Sequence, residues 1–338
     1  MIVARVMMIH QLITHRVFKI VQIHGDVNNI PWDTKIIKDS AEICSIEFKG
    51  RSVRSPFEIT RTISLKAEDS FLEINQNVTN YAEEDLDIVW LEHIAIGGSF
   101  LSEKCTLSLP NCTVLSHPED VDKSSKLKPN FSGEWPMVDL KDGSKSDFRK
   151  IPGKSDRSLD MAYFTELEEG WYVVKNNELG ISWGVEFPND LFKYVWYWRN
   201  FGGGYGYPWY GRCYNAGLEP CTGWHNGGVE QAEKNGSAYF VKAGETVSAY
   251  IKAGVVLDYD EEKRKNWHKS VKSSGYELLL VSQFTLHAVL KGNRPDFSDA
   301  KRPEEAEQMF NELVQLSRNT LSPEKVQTGV FGANMDVS

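Results

Sequence analysis

The sequence lacks any closely spaced cysteine pair. Its five cysteines, Cys44, Cys105, Cys112, Cys213 and Cys221, are an odd number with no CxxC among them. Structural zinc is therefore not expected, and reduced thiols in a cytoplasmic setting are. Long apolar runs are missing too. No stretch approaches the roughly 18–20 residues that a membrane-spanning helix needs, so no membrane partner is expected. The apolar start, residues 1–25, is interrupted by Arg5, His10, His15, Arg16 and Lys19 and has no small-residue cleavage site, which argues against a secretory leader. A basic excess is absent as well, the net charge being −9 at pH 7. Residues 259–338 hold 11 Lys+Arg against 12 Asp+Glu, so nearly all of the negative charge belongs to the first 258 residues. Such an acidic body is a poor electrostatic partner for nucleic acid, whose phosphates favour clustered Lys and Arg. No metal ligand set and no cofactor are expected.

What is present is an ordinary folded composition, 41% hydrophobic and 25% charged, with 10 Trp, 13 Tyr and 16 Phe. The 338 residues have room for one large domain or two ordinary ones. From Phe57 the pattern alternates: Phe57, Ile59, Ile63 and Leu65 face one way, and Glu58, Thr60, Thr62 and Ser64 the other. A period of two marks half-buried strands. It returns at Leu72, Ile74 and Val78, at Ile88 and Trp90, and at Tyr172 to Val174, with Gly, Asn, Asp and Pro clusters between. No long helical period precedes Asp258. The pattern is that of an all-β sandwich or barrel. The polar stretch Ser116 to Lys154 reads as a long loop.

The grammar changes at the charged run DYDEEKRK, Asp258 to Lys265, a solvated connector. Beyond it, Tyr276 to Val281 is a nearly continuous apolar strand. Pro303 to Thr320 then places Ala306, Met309, Phe310, Leu313 and Leu316 at helical spacing. Pro303 suits the first turn, where Glu304 and Glu305 complement the positive end of the helix dipole. A last strand is expected around Val326 to Val337. The expected division is an unassigned segment 1–41, a β-sandwich over 42–258 and a short α/β segment over 259–338.

Three stretches of the body stand out: VTNYAEEDLDIVWLEHIAIGGSFL from Val78, the Trp- and Gly-rich YVWYWRNFGGGYGYPWYGRCYNAGLEP from Tyr194, and VKAGETVSAYIKAGV from Val241. Together they resemble the galactose mutarotase-like, or aldose 1-epimerase, superfamily over roughly residues 46–257. The resemblance implies a mainly β fold, a mutarotase-like β-supersandwich, and a small sugar as ligand. Chemistry at an anomeric centre needs a base for the hydroxyl proton and an acid for the ring oxygen. By resemblance Glu219, in Leu218-Glu219-Pro220, is the general base, and His93 is a sugar-contacting histidine. The family's second histidine, its general acid, stands beside an Asp; here the pair is Asp160-Met161, and Met cannot donate a proton. Trp196, Trp198 and Trp209 form either a sugar-stacking platform or core packing. Asn200, Tyr210 and Arg212 are expected to line the pocket. The plain alternatives are a capping role for Glu219 and a structural one for His93.

The tail reads WHKSVKSSGYELLLVSQFTLHAVLKGNRPDFSDAKRPEEAEQMFNELVQL from Trp267, then VQTGVFGANMDVS from Val326. SQFTL, KGNRPDF and GVFGANM in that order resemble D-aminoacyl-tRNA deacylase over about 70 residues. The resemblance implies hydrolysis of the ester bond of D-aminoacyl-tRNA, with tRNA as partner and a homodimer as assembly. Ser282, Gln283, Phe284 and Thr285 inherit the catalytic strand end, where backbone N–H groups and a hydroxyl would face the developing oxyanion. Phe331 and Met335 would wall the aminoacyl pocket. Lys291 and Arg294 would reach phosphates, or belong to a solvated turn. The family also carries a strand-rich segment before WxKSV and an Asn-x-Gly-Pro-x-Thr motif after the last strand; neither is in this chain, so chiral selection is not expected to work as in the family.

The expected function is D-aminoacyl-tRNA hydrolysis on a chain whose body binds carbohydrate. The alternatives are a carbohydrate-binding or aldose epimerase-like protein with a non-functional tail, and the product of two misjoined reading frames.

Overall fold

The computed structural model describes residues 7–13, 25, 27–67, 69–257, 277–280, 289–291, 294–296 and 302–331, with backbone alone at 7–13, 257, 289–291 and 294–296. The chain divides into two compact units, Val3–Trp267 and His268–Ser338.

The first unit is built from antiparallel strands. In chain order these are β1 (Met7–Ile13), β2 (Asp33–Asp39), β3 (Ile43–Arg51), β4 (Phe57–Lys66), β5 (Phe71–Asn80) and β6 (Leu86–Ile96). There follow β7 (Cys105–Ser108), β8 (Thr113–Ser116), β9 (Ser132–Glu134), β10 (Met137–Asp139), β11 (Lys145–Asp147) and β12 (Ser158–Thr165). The unit ends with β13 (Trp171–Asn176), β14 (Ile181–Glu186), β15 (Tyr194–Phe201), β16 (Tyr214–Cys221), the short helix α1 (Val229–Lys234), β17 (Tyr239–Val241) and β18 (Thr246–Leu257). One sheet runs β1-β6-β16-β15-β12-β8-β9, with β17 also on β6; the other runs β2-β3-β4-β5-β18-β14-β13-β7. Segments before residue 42 thus join both sheets, β1 on β6 and β2 on β3.

A shared core lies between the sheets. Ile59, Ile74, Val78, Val174, Val185 and Ile251 from the second sheet meet Trp90, Ile94, Phe164, Val195, Tyr197 and Leu218 from the first. Strand alternation explains the two-sided burial of the first sheet. Trp90, Ile94 and Ile96 of β6 join this core, whereas Val89 and Leu91 join a second cluster on the outer face with Met161, Tyr163, Trp196 and Cys221. Glu92 is one of the polar residues buried inside. It accepts from Arg61 Nη2 at 3.0 Å, Gln76 Nε2 at 2.7 Å and Trp90 Nε1 at 2.8 Å.

Two expectations for the body are corrected. The stretch Ser116 to Lys154 is not a bare loop: it contains β9, β10 and β11 and buries Leu127, Val138, Phe148 and Ile151. Its apolar residues are too far apart to show a period of two. Leu65, expected inside, is exposed near the end of β4.

In the second unit β19 (Leu278–Leu280) pairs in parallel with β22 (Val326–Thr328), and β20 (Val289–Lys291) forms a hairpin with β21 (Arg294–Asp296). Helix α2 spans Pro303–Thr320, with Pro303 in its first turn as the sequence predicts. A parallel pair cannot be closed by a tight turn and needs a long crossover, which here includes α2. The helix's buried face differs from expectation. Val314 is buried and Ala306 and Phe310 are partly buried, while Met309, Leu313 and Leu316 are exposed. Positions 306, 310 and 314 recur every four residues and form the less exposed stripe of a helix that neighbours β22. The strands expected over Tyr276 to Val281 and Val326 to Val337 are described at Leu278–Leu280 and Val326–Thr328; 276, 281 and 332–337 lie outside the described residues.

Candidate functional site

The outer face of the first sheet holds the candidate site. Neighbouring strands β8, β12, β15, β16 and β6 put side chains in lateral rows, because residues paired across antiparallel strands point to the same face. One row runs Leu115, Tyr163, Trp196 and Glu219, and the β16–β6 register set by Gly217↔Ala95 and Cys221↔Leu91 places His93 across from Glu219. The next row runs Met161, Trp198, Gly217 and Ala95, and His117 extends it by donating its backbone N–H to the Met161 carbonyl at 3.1 Å.

Glu219 is 5% exposed, and its Oε1 lies 3.6 Å from His93 Nε2. Burial raises its carboxyl pKa to about 8, because a carboxylate loses its hydration there. The carboxyl group leans over Gly217. A Cβ at that position would stand 2.6 Å from Glu219 Oε1 and 3.1 Å from Trp198 Cβ. The glycine thus gives the carboxyl its room next to Trp198.

Of the three tryptophans, Trp196 is a core residue of the face, buried with its indole N–H donated to the Gly223 carbonyl at 2.7 Å. Trp198 is half-buried, and its ring centroid lies 5.7 Å from that of Trp209. Trp209 belongs to the connection between β15 and β16. Arg212 and Tyr210 are exposed on the same connection. Met161 does lie on the floor, paired with Trp198, whereas Asp160 is buried and accepts the backbone N–H groups of Lys126 and Leu127 at 2.8 and 3.0 Å.

A further group was not legible in the sequence. His117 Nε2 lies 2.8 Å from Asn226 Oδ1 and its Nδ1 2.8 Å from the Glu119 carbonyl. The His225 ring is 5.0 Å from the His117 ring, and Trp224 packs on Tyr163 at 5.4 Å. Burial lowers the His225 pKa. The string Trp224-His225-Asn226-Gly227-Gly228, so soon after Glu219, was the one available signal. Asn200, fully buried, is the other residue whose setting the sequence hid. Among the described residues no group of three or more His, Cys, Asp or Glu could hold a metal ion.

In the second unit Phe331 stacks near Phe310, ring centroids 5.8 Å apart. Lys291 and Arg294 are the paired ends of the β20–β21 hairpin. Ser282, Gln283, Phe284, Thr285 and Met335 lie outside the described residues.

Comparisons with known proteins divide along the same lines. Residues 244–338 match the family described as D-Tyr-tRNA(Tyr) deacylase. The D-aminoacyl-tRNA deacylase 1 of Homo sapiens is 48% identical over 79 residues, 23% of this chain and 38% of that protein. The D-aminoacyl-tRNA deacylase of Drosophila melanogaster is 41% identical over 100 residues, 29% of this chain and 63% of that protein. The chain therefore spans less than two thirds of the length of these relatives. Among solved structures, a candidate aldose 1-epimerase from Klebsiella pneumoniae superposes with a TM-score of 0.57 at 13% identity, covering 97% of this chain and 71% of that one. That likeness bears on fold, and it agrees with the mutarotase-like sandwich that the body's sequence resembles. Residues 13–255 match the family described as Domain of unknown function (DUF4432), and over that span, more than half of its length, the chain belongs to this family.

Proposed function

We propose that the body binds an aldose on the outer face of its first sheet, with the anomeric hydroxyl at Glu219. The observation that carries this reading is the buried Glu219 carboxyl over Gly217, 3.6 Å from His93 Nε2, with half-buried Trp198 paired across from that glycine. An aromatic face suits pyranose C–H edges, and a carboxyl with a pKa of about 8 exchanges a proton readily near neutrality.

Ring opening would take the O1 proton onto Glu219, break C1–O5 and deliver a proton to O5. For the second delivery the histidine that serves in the resembled family is replaced. Met161 has no proton to give, and both ring nitrogens of His117 already lie at hydrogen-bond distance from partners. The site is thus better furnished for binding than for fast interconversion of anomers. Titration of the full chain with D-galactose and D-glucose by calorimetry, with polarimetry alongside, tests this. Binding that is lost in Glu219→Ala, with slow or no acceleration of mutarotation, is the expected result. Absence of binding to either sugar would remove the reading.

The tail supports a second reading. Its 48% identity over 79 residues to a D-aminoacyl-tRNA deacylase favours hydrolysis of D-aminoacyl-tRNA by that unit, acting as a homodimer in the cytoplasm. All five cysteines are free thiols, which suits that compartment. Incubating the full chain with D-tyrosyl-tRNA tests it: release of D-tyrosine that Ser282→Ala diminishes is expected, and no release would exclude it.

A further inference from the structure

Asn200 follows Trp196 and Trp198 at two-residue steps along β15, so all three point to the outer face. Its side chain is 0% exposed, and among the described residues neither its Oδ1 nor its Nδ2 has a hydrogen-bond partner. A carboxamide offers two N–H donors and a two-lone-pair acceptor, and burying all of them unsatisfied is costly. Buried polar groups in folded proteins are otherwise almost always paired.

What covers Asn200 is the connection from residue 202 to residue 212. A Cβ on Gly204 would meet Trp209 Cδ1 at 3.0 Å and Asn200 Nδ2 at 3.2 Å, so the Gly204 backbone sits directly on the amide with the Trp209 ring next to it. Gly203 ties the base of this connection to the Ser158 carbonyl at 3.3 Å. Beyond it the backbone bonds turn inward: Tyr210 N–H to Gly206 O at 2.7 Å, Gly211 N–H to Gly204 O at 2.9 Å and Arg212 N–H to Trp209 O at 3.0 Å. Tyr205, Tyr207 and Tyr210 stand exposed at its tip. The segment is a flap bonded largely to itself and tied to the body by Ser124 Oγ, which accepts the Gly204 N–H at 3.4 Å, and by Arg157 Nη1, which donates to the Gly211 carbonyl at 3.2 Å; its Trp209 lies against Trp198 at one end of the floor that also holds Glu219.

We infer that Asn200 is a ligand-reading residue: its carboxamide takes a pair of neighbouring hydroxyls of a bound sugar once the 202–212 flap lifts Trp209 away from it. The inference rests on the carbohydrate reading of the site and adds the group that selects among sugars. A carboxamide donates to one hydroxyl oxygen and accepts from the next, so a vicinal diol is the ligand group that satisfies both of its ends. Without ligand the amide is held dry under Gly204; with ligand it gains the partners the fold withholds.

The test compares the full chain with Asn200→Leu and Glu219→Ala. Leucine has a similar volume and no polar atoms, so the ligand-free Asn200→Leu protein should melt about 2–4 °C higher than the parent. Calorimetry with D-galactose and D-glucose should show its affinity reduced by about tenfold or more, the loss of a hydrogen-bonded pair. The 2-, 3-, 4- and 6-deoxy analogues of whichever sugar binds identify the contacts, since the two analogues that each lack one of the hydroxyls read by Asn200 should show a smaller difference between parent and Asn200→Leu than the intact sugar does. A lower melting temperature in Asn200→Leu would show that the amide is bonded within the fold and would overturn the assignment. Unchanged sugar affinity in Asn200→Leu, with binding lost in Glu219→Ala, would overturn it while leaving the carbohydrate site standing. No sugar binding by the parent chain would remove both.

Discussion

His93 Nε2 lies 3.6 Å from Glu219 Oε1 across adjacent strands of one sheet, one partner on β6 and the other on β16. The carboxyl is buried, and burial sets its behaviour. Its pKa stands at about 8 in the fold, against 4.5 for an ordinary glutamate. Below pH ~4 both folded and unfolded chains hold this proton, and no stability is lost through it. Between ~4.5 and 8 the unfolded chain releases the proton and the folded chain keeps it, so stability falls as pH rises through that window. Glu219→Gln removes the ionisation. Its stability should exceed that of the parent by on the order of 3–5 kcal/mol at pH 8 and match it near pH 4. Urea denaturation at the two pH values measures the difference.

The same shift has a consequence for ligand chemistry. A base must be ionised to accept a proton, so any acceleration of mutarotation by Glu219 should increase as pH rises through about 8. Polarimetry over pH 6–9.5 reads this profile. A rate that falls across that range would identify the protonated carboxyl as the acting form.

Gly217 leaves the space that Glu219 occupies. Gly217→Ala would bring a methyl to 2.6 Å from the Glu219 carboxyl oxygen and displace it from the floor. The expected result is a loss of sugar affinity of tenfold or more, at a stability cost of about 1–3 kcal/mol for overpacking. Calorimetry and thermal melting separate the two effects.

Inside the sandwich, Arg61 and Glu92 form an ion pair at 3.0 Å with both side chains nearly or fully buried. Arg61→Met would strand a carboxylate away from water and should cost about 3–5 kcal/mol. Adding Glu92→Gln, which removes the charge, should recover a large part of that loss. Guanidinium denaturation of the single and double variants checks the coupling.

In the tail, Val314 is the buried contact of α2, and the Gly329 N–H donates to the Leu280 carbonyl at 2.9 Å beside the β19–β22 pair. Val314→Asp would place an unpaired charge at that contact. Hydrogen exchange should show α2 and the Gly329 amide losing protection; retained protection would mean that this face carries no packing load.

Much of the β grammar was readable along the chain. Alternation at Phe57 and Ile59, and at Leu72, Ile74 and Val78, reports neighbours within one strand, and those strands occur. The order SQFTL, KGNRPDF, GVFGANM carried the tail's resemblance without any folding argument. Alternation failed where burial was sparse, as at Leu127, Val138, Phe148 and Ile151, whose contributions to the core are separated by charged residues. Helical spacing could not choose between Leu313 and Val314 as the buried residue, because both fit a period near 3.6 and only the opposing strands decide.

By itself the sequence determined that this protein joins a β-sandwich to a tail of different grammar, and it marked Glu219 and His93 as residues to watch. Tertiary structure decided how they are placed. Lateral neighbours in an antiparallel sheet come from distant segments, so only the fold sets His93 opposite Glu219, lays the carboxyl over Gly217 and strips its water. The same sheet puts Met161 on the floor, folds His117 beside it and closes Asn200 beneath Gly204. Those relations are distances across strands, and no spacing along the chain encodes them.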